Sequence, residues 1–340
     1  MEKRIKLLGL GTAKGLGLFD LASSFFSKSF RILMYHRFDK IAGNGKISKR
    51  LFETQMAYLK SKYNVIELHQ FERVLRGSEE GPRNAVAITI DDGYRDFYEV
   101  AYPALIKFSL PATVFLATEF INGHIWLWHD LIDYSLKHSA SSYLDLEVSG
   151  KVFRFDLTHG DRGGTVKSQL YSICTSVGDQ ERNLIIQSII DRLNIDLPRK
   201  PTHDYAPLTW EQICEMSENA ISFGAHTCCH PILSKLNVNK ASEEIYESKK
   251  CIENVIKKPV TAFCYPNGTR ADFNEDTKRL LKGSHFSCAV TALYGINDES
   301  TDPYELRRIA VGNRPYIYFL QDLSGFGVLR ARAHRFLKMS

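Results

Sequence analysis

Apolar residues along this chain fall into short, nearly unbroken runs: "RILMY" (31–35), "NVIEL" (64–68), "AVAITI" (85–90), "ATVFLA" (112–117), "AISFGA" (220–225), "VTAFCY" (260–265), "FSCAVT" (286–291) and "ELRRIAV" (305–311). Runs of this length without polar alternation read as strands buried on both faces. Between them the period changes. Residues 48–63 place apolar side chains at 52, 56, 59 and 63, with Ser48 as a candidate N-cap, which predicts a helix. "RDFYEVAYPALIKF" (95–108) and "NKASEEIYESKKCIENVIKK" (239–258) follow the same logic, with Pro103 set to kink the first. Strands alternating with helices predict parallel βα units, and seven or eight such units predict an α/β fold closed into a barrel.

The rhythm breaks over residues 120–208. An aromatic-rich "HIWLWHDLIDYSL" is followed by a hairpin signal at Ser149-Gly150 and then by two polar helical stretches. This reads as an insertion folding as a subdomain or lid within a barrel of residues 31–320. Residues 1–30 read as an amphipathic or loosely ordered lead-in, and 321–340 as a basic tail or helix.

Composition changes this picture little. The chain is 44% hydrophobic and 24% charged with a net charge of +5, ordinary for a globular protein. The positive charge is mild and spread out; it would suit an anionic polymer or a membrane surface but demands neither, and no nucleic-acid partner is expected. Seven cysteines without a regular framework suggest reduced thiols and a cytoplasmic setting. Lys14 and Asp20 interrupt the apolar N-terminal residues, so no membrane-crossing span is expected; a solvated or packed terminal helix and a helix lying on a membrane surface are the alternatives for the lead-in. The expected location is therefore cytoplasmic, with peripheral attachment at the inner membrane face.

Candidate chemistry gathers at the strand ends. His36 follows the run at 31–35, Asp91 and Asp92 follow 85–90, His226 and His230 follow 220–225, and Tyr265-Pro266-Asn267-Gly268 lies at the end of 260–265. In βα barrels the C-terminal strand ends carry the active site. Two adjacent buried carboxylates need compensating charge, and a divalent cation would supply it. His226 and His230 share a face if their segment is helical, as two ligands of one ion require. Thr227 stands where a metalloprotease would place its glutamate base. The base must come from elsewhere, and the aspartate pair offers one carboxylate for the metal and one for proton transfer. Cys228 and Cys229 are expected to pack behind the histidines rather than to ligate.

"TIDDGYRD", "HTCCH" and "CYPNG", in that order, resemble the polysaccharide deacetylase family (NodB-type, chitooligosaccharide deacetylase-like; carbohydrate esterase family four). "ILMYHRF" resembles a segment of its bacterial exopolysaccharide branch, and the likeness covers about 31–120 and 207–311. The resemblance implies a distorted (β/α)7 barrel that removes N-acetyl groups from a sugar of a polysaccharide, oligosaccharide or lipid-linked glycan. It implies Asp91 as general base and Asp92, His226 and His230 as ligands of a divalent metal, Zn2+ first, with Ni2+ or Co2+ as alternatives. It gives the Asn267 backbone N–H to the oxyanion.

Two departures shape the remaining expectations. Cys264 stands where many members carry an arginine that orients the base, and Arg307 or Arg308 is the candidate replacement. The late leucine–histidine motif that supplies the acid is missing, so His36 takes that role. Tyr265, Pro266 and Trp128 are expected to meet the sugar, while Trp126 and Trp128 could equally form the insertion's core. An O-acetyl or formyl hydrolase, and an inactive glycan-binding barrel, are the alternatives.

Overall fold

Seven of the eight apolar runs become parallel strands, seen in a computed structural model that describes residues 2–41, 45–75, 77–158 and 164–330. They are β1 (Arg31–Tyr35), β2 (Ala85–Ile90), β3 (Ala112–Leu116), β4 (Ile221–Ala225), β5 (Ala262–Cys264), β6 (Cys288–Tyr294) and β7 (Leu306–Ala310). Each pairs with the next in chain order, and β7 returns to β1 through Leu33↔Ile309, so the ring is closed. This is the (β/α)7 barrel of the NodB type.

Small residues make the tight ring feasible. Ala85, Ala87, Ala262, Cys264 and Cys288 form an interior cluster with Ile32, Phe115, Val290 and Leu306. The alternate residues, among them Leu33, Val86, Ile88, Ile90 and Ile309, face outward into a larger core shared with the surrounding helices. Because the period is two, Asp91 continues the inward parity of Ala87 and Thr89.

The eighth run is corrected. Only Asn64–Val65 pairs as a strand, against the start of β2 and outside the closed ring, and Leu68–Leu75 is a helix. Leu68, Phe71 and Val74 recur at helical spacing and join the interior cluster, which a strand could not achieve with that pattern. Elsewhere local signals act as expected. The Ser48 side chain accepts from the Leu51 N–H at the head of helix Lys49–Lys62. Before Pro103 the chain runs as a π-turn, Phe97–Ala101, continuing into helix Tyr102–Phe108.

Between β3 and β4 the chain builds a second layer. Helix Trp128–His138, hairpin Tyr143–Val148/Lys151–Asp156 and helices Thr165–Ser176 and Asp179–Arg192 enclose their own core around Ile132, Leu144, Leu170 and Ile189. The hairpin turns on Ser149 (φ 51°) and Gly150 (φ 75°). The first 30 residues form two helices, Glu2–Gly15 and Leu18–Phe25, packed against helix Tyr316–Ser324. Of the basic tail, residues 331–340 lie outside the described part.

Candidate active site

A cavity of about 310 Å3 opens at the C-terminal strand ends, bordered by His36, Asp91, Asp92, His226, His230, Asn267 and Arg308. Two adjacent aspartates there serve two different partners. Asp91 points into the barrel, where Arg308 reaches it from β7 with two parallel hydrogen bonds, Nη1 to Oδ1 and Nη2 to Oδ2, both 2.7 Å. Both residues are buried. Burial alone would raise the Asp91 carboxyl; the Arg308 charge, with His36 and the hydrogen bonds, overcomes it and holds the group below the usual carboxylate range.

Asp92 is turned the other way by the backbone. Its φ of 75° and that of Gly93 (85°) are left-handed, and the Gly93 N–H bonds back to the Asp91 carbonyl at 3.0 Å. The Asp92 Oδ1 then sits 3.4 Å from His226 Nε2 and 3.6 Å from His230 Nε2. His226 follows β4 directly, and its Nδ1 donates to the Cys264 carbonyl at 2.7 Å, which leaves Nε2 aimed at Asp92. The helical spacing expected for the two histidines is not how they meet. Residues 226–230 form a loop in which Thr227 (φ 68°) and His230 (φ 58°) are left-handed, and His230 N–H donates to Thr227 Oγ1. Asp92, His230 and Asn267, which line the cavity, and Thr227, which holds the His230 backbone, are all non-glycine residues in this costly region.

Three donors buried together, all within 4.8 Å of one another, fit one divalent ion. Burial disfavours charge on both histidines. At His226 the neighbours Cys264 and Asp92 outweigh it and the pKa lies above the usual range. At His230 burial and the His226 charge act together, and the pKa falls below that range. Cys264, Asp91 and His226 form a second buried group, but burial raises the Cys264 thiol, and the Asp91 oxygens are taken by Arg308.

The other expected residues divide. His36 is half-exposed and lies 3.6 Å from Asp91 Oδ2 through Nε2. Asn267 (φ 57°) lines the cavity, and no described residue accepts from its backbone N–H. Gly268 (φ 69°) supports this turn, since a Cβ there would lie 2.7 Å from the Ala292 backbone nitrogen. Arg308 fills the space beside Cys264, with Nη2 3.2 Å from the sulfur. Arg307 is corrected: one residue out of phase, it is exposed on the outside of β7.

Tyr265 and Pro266 are corrected too. Tyr265 borders the cavity but is 1% exposed, its ring stacked on Phe273 at 4.4 Å and its hydroxyl donating to the Tyr304 carbonyl, so it presents no open platform to a sugar. Pro266 is buried and shapes the turn, its carbonyl accepting from Gly268. Trp126 packs with Tyr134 and Tyr205. Trp128 borders the cavity but belongs to the insertion's core, with Tyr171 and Arg182 against its ring. Cys228 and Cys229 fall outside both buried donor groups; their backbone N–H groups both donate to Glu244, and Cys229 is exposed.

His129 escaped sequence reading. It comes from the insertion, lies edge-on to His230 at 5.5 Å, and has Nε2 2.9 Å from the Tyr94 hydroxyl and 4.0 Å from Asp92. Tyr94 also donates to Asp130 at 2.7 Å, and Arg37 covers the Tyr94 ring at 3.8 Å. The aromatic-rich stretch was the available signal, but nothing in its spacing ties one histidine to a distant strand end.

A closed seven-stranded barrel with an Asp-Asp, His-His and arginine constellation at its strand ends defines a hydrolase of the carbohydrate deacetylase class. The sequence profile of polysaccharide deacetylases matches residues 78–286, and the chain belongs to that family. YxkH of Bacillus subtilis (strain 168), which carries the name of a polysaccharide deacetylase, is 24% identical over 82% of this chain and 70% of its own length. Among solved structures, the fold is shared with the Streptococcus pyogenes deacetylase PplD in complex with acetate. There the TM-score is 0.59 at 21% identity, over 87% of this chain and 98% of that one. IcaB from Ammonifex degensii gives a TM-score of 0.57 at 19% identity, over 87% and 96%.

Proposed function

We propose that this carbohydrate deacetylase removes N-acetyl groups from an N-acetylated sugar of a polysaccharide, oligosaccharide or lipid-linked glycan. We propose further that it uses a divalent ion, Zn2+ first among candidates, held by Asp92, His226 and His230. The observation that carries this reading is the division of labour between adjacent carboxylates. Asp91 is paired with Arg308, and Asp92 faces two imidazole nitrogens.

When bound, the ion would supply Lewis acidity toward the acetyl carbonyl and toward water. The need for it follows from Asp91. A carboxylate held below its usual range by Arg308 is a weak base, and it takes a proton efficiently only from water that something else has acidified. Arg308 fixes both Asp91 oxygens, so the base cannot rotate away as water attacks. The Asn267 N–H, from which no described residue accepts, donates to the carbonyl oxygen as that atom gains charge, a contact worth about 3–4 kcal/mol. His36, beside Asp91 and open to the cavity, gives a proton to the departing amine.

The test is acetate release from an oligomer of N-acetylglucosamine by the purified chain, before and after chelation. Activity should vanish with the metal and return with stoichiometric Zn2+. Full activity in metal-free protein would contradict the reading.

A further inference from the structure

The two N-terminal helices have an apolar face too many. In Leu18–Phe25, Phe19 and Ala22 pack against the body of the protein. Leu21 and Phe25, one turn apart on the flank of that face, are each 68% exposed. Helix Glu2–Gly15 repeats the arrangement: Leu10 and Ala13 are buried, while Ile5 and Leu8 stand exposed, and Leu16 beyond its end is also exposed. Lys6, Lys14 and Lys28 are exposed on and just after the same pair of helices. A solvated helix does not normally leave a stripe of large apolar residues uncovered.

The charge distribution says what covers this patch. Residues 1–30 contain five basic and two acidic residues, and residues 326–340 contain four basic and no acidic ones. The chain as a whole carries +5, so everything between these ends is net negative, at −2. The net positive charge is therefore not spread out as its mild total suggests: it comes from the two terminal segments of the sequence, and the first of them carries the unpartnered apolar stripe. Exposed apolar side chains on a net-positive terminal segment match a lipid surface with anionic headgroups.

We propose that helices Glu2–Gly15 and Leu18–Phe25 form a docking surface for an anionic bilayer, with Leu8, Leu16, Leu21 and Phe25 entering the headgroup boundary. Among the described residues no helix is long and apolar enough to cross a membrane, so the contact is peripheral. Its orientation leaves the active site open. The carbonyls of Phe26 and Ser29 accept from Arg31, the first residue of β1, whereas His36 and the cavity lie past the far end of that strand.

The experiment is flotation of the purified full chain with vesicles of phosphatidylcholine alone or of phosphatidylcholine mixed with phosphatidylglycerol, whose anionic headgroups attract polybasic segments. The chain should float with the anionic vesicles only and be released by added salt. The pair Leu21→Gln and Phe25→Gln should weaken this binding by about tenfold or more. Lys14→Glu, which removes no packing, should weaken it by a smaller factor, and both variants should keep the wild-type melting temperature. Three results would overturn the proposal: no flotation, equal flotation with neutral vesicles, or flotation unchanged in the Leu21/Phe25 variant. A wild-type dimer that the Leu21/Phe25 variant converts to monomer, without vesicle binding, would assign the patch to a second copy of the chain instead.

Discussion

The barrel rim and the insertion both border the cavity, yet they are built on different terms. On the rim, functional groups are fixed by strand parity and by left-handed backbone: Asp91 meets Arg308 because β2 and β7 both turn those residues inward. In the insertion, Trp128 and His129 reach the cavity from a helix whose position depends on a separate core around Leu170 and Ile189. On the proposed function, the rim carries the chemistry, and the insertion walls part of the space a substrate would enter.

Arg308→Met should produce the largest combined effect. Removing one member of a buried ion pair costs about 3–5 kcal/mol of stability. With Arg308 gone, burial raises the Asp91 carboxyl instead of being overcome, so the acid limb of the rate profile should move to higher pH. The stability sign reverses with it. In the wild type the depressed Asp91 carboxyl contributes stability above about pH 4 and loses it as pH falls further. In the variant, stability should decline as pH rises above about 4. Denaturant melts and rate profiles across pH check both, and a profile unchanged in pH would detach Arg308 from the base.

His36→Gln comes next. Hydrolysis of an N-acetyl sugar should fall by about 100-fold, as loss of a general acid implies. Hydrolysis of 4-nitrophenyl acetate, whose leaving group needs no proton, should change little. Equal losses on both substrates would give His36 a binding role. The smallest effect on chemistry belongs to the insertion. Leu170→Ala, in its sealed core, should cost about 2–5 kcal/mol in a local or global melt. At temperatures where the fold persists, KM should rise while bound metal stays stoichiometric. Loss of metal in Leu170→Ala would erase the distinction between rim and insertion.

The sequence disclosed the rim better than the insertion for physical reasons. Strand runs such as "AVAITI" are legible because both faces are buried, and the polar residues just past each run mark the site. The spacing of His226 and His230 pointed to one ion, although the residues converge through a left-handed loop rather than a helix turn. Arg307 and Arg308 could not be told apart in "LRRIA", since Leu306 and Ile309 on opposite parities are both apolar and both buried. Tyr265 looked like a sugar platform because aromatic character says nothing about whether a ring such as Phe273 already covers the face. His129 depends on how a whole subdomain docks, which no local pattern records.

The central claim is that Asp91 and Asp92, adjacent in sequence, perform separate tasks. Metal content and acetate release measured together on Asp91→Asn test it most directly, with Asp92→Asn as the mirror. Asp91→Asn should retain stoichiometric metal while acetate release falls by about 1,000-fold or more, and Asp92→Asn should lose the metal itself. Metal lost from Asp91→Asn, or activity preserved in it, would contradict the division.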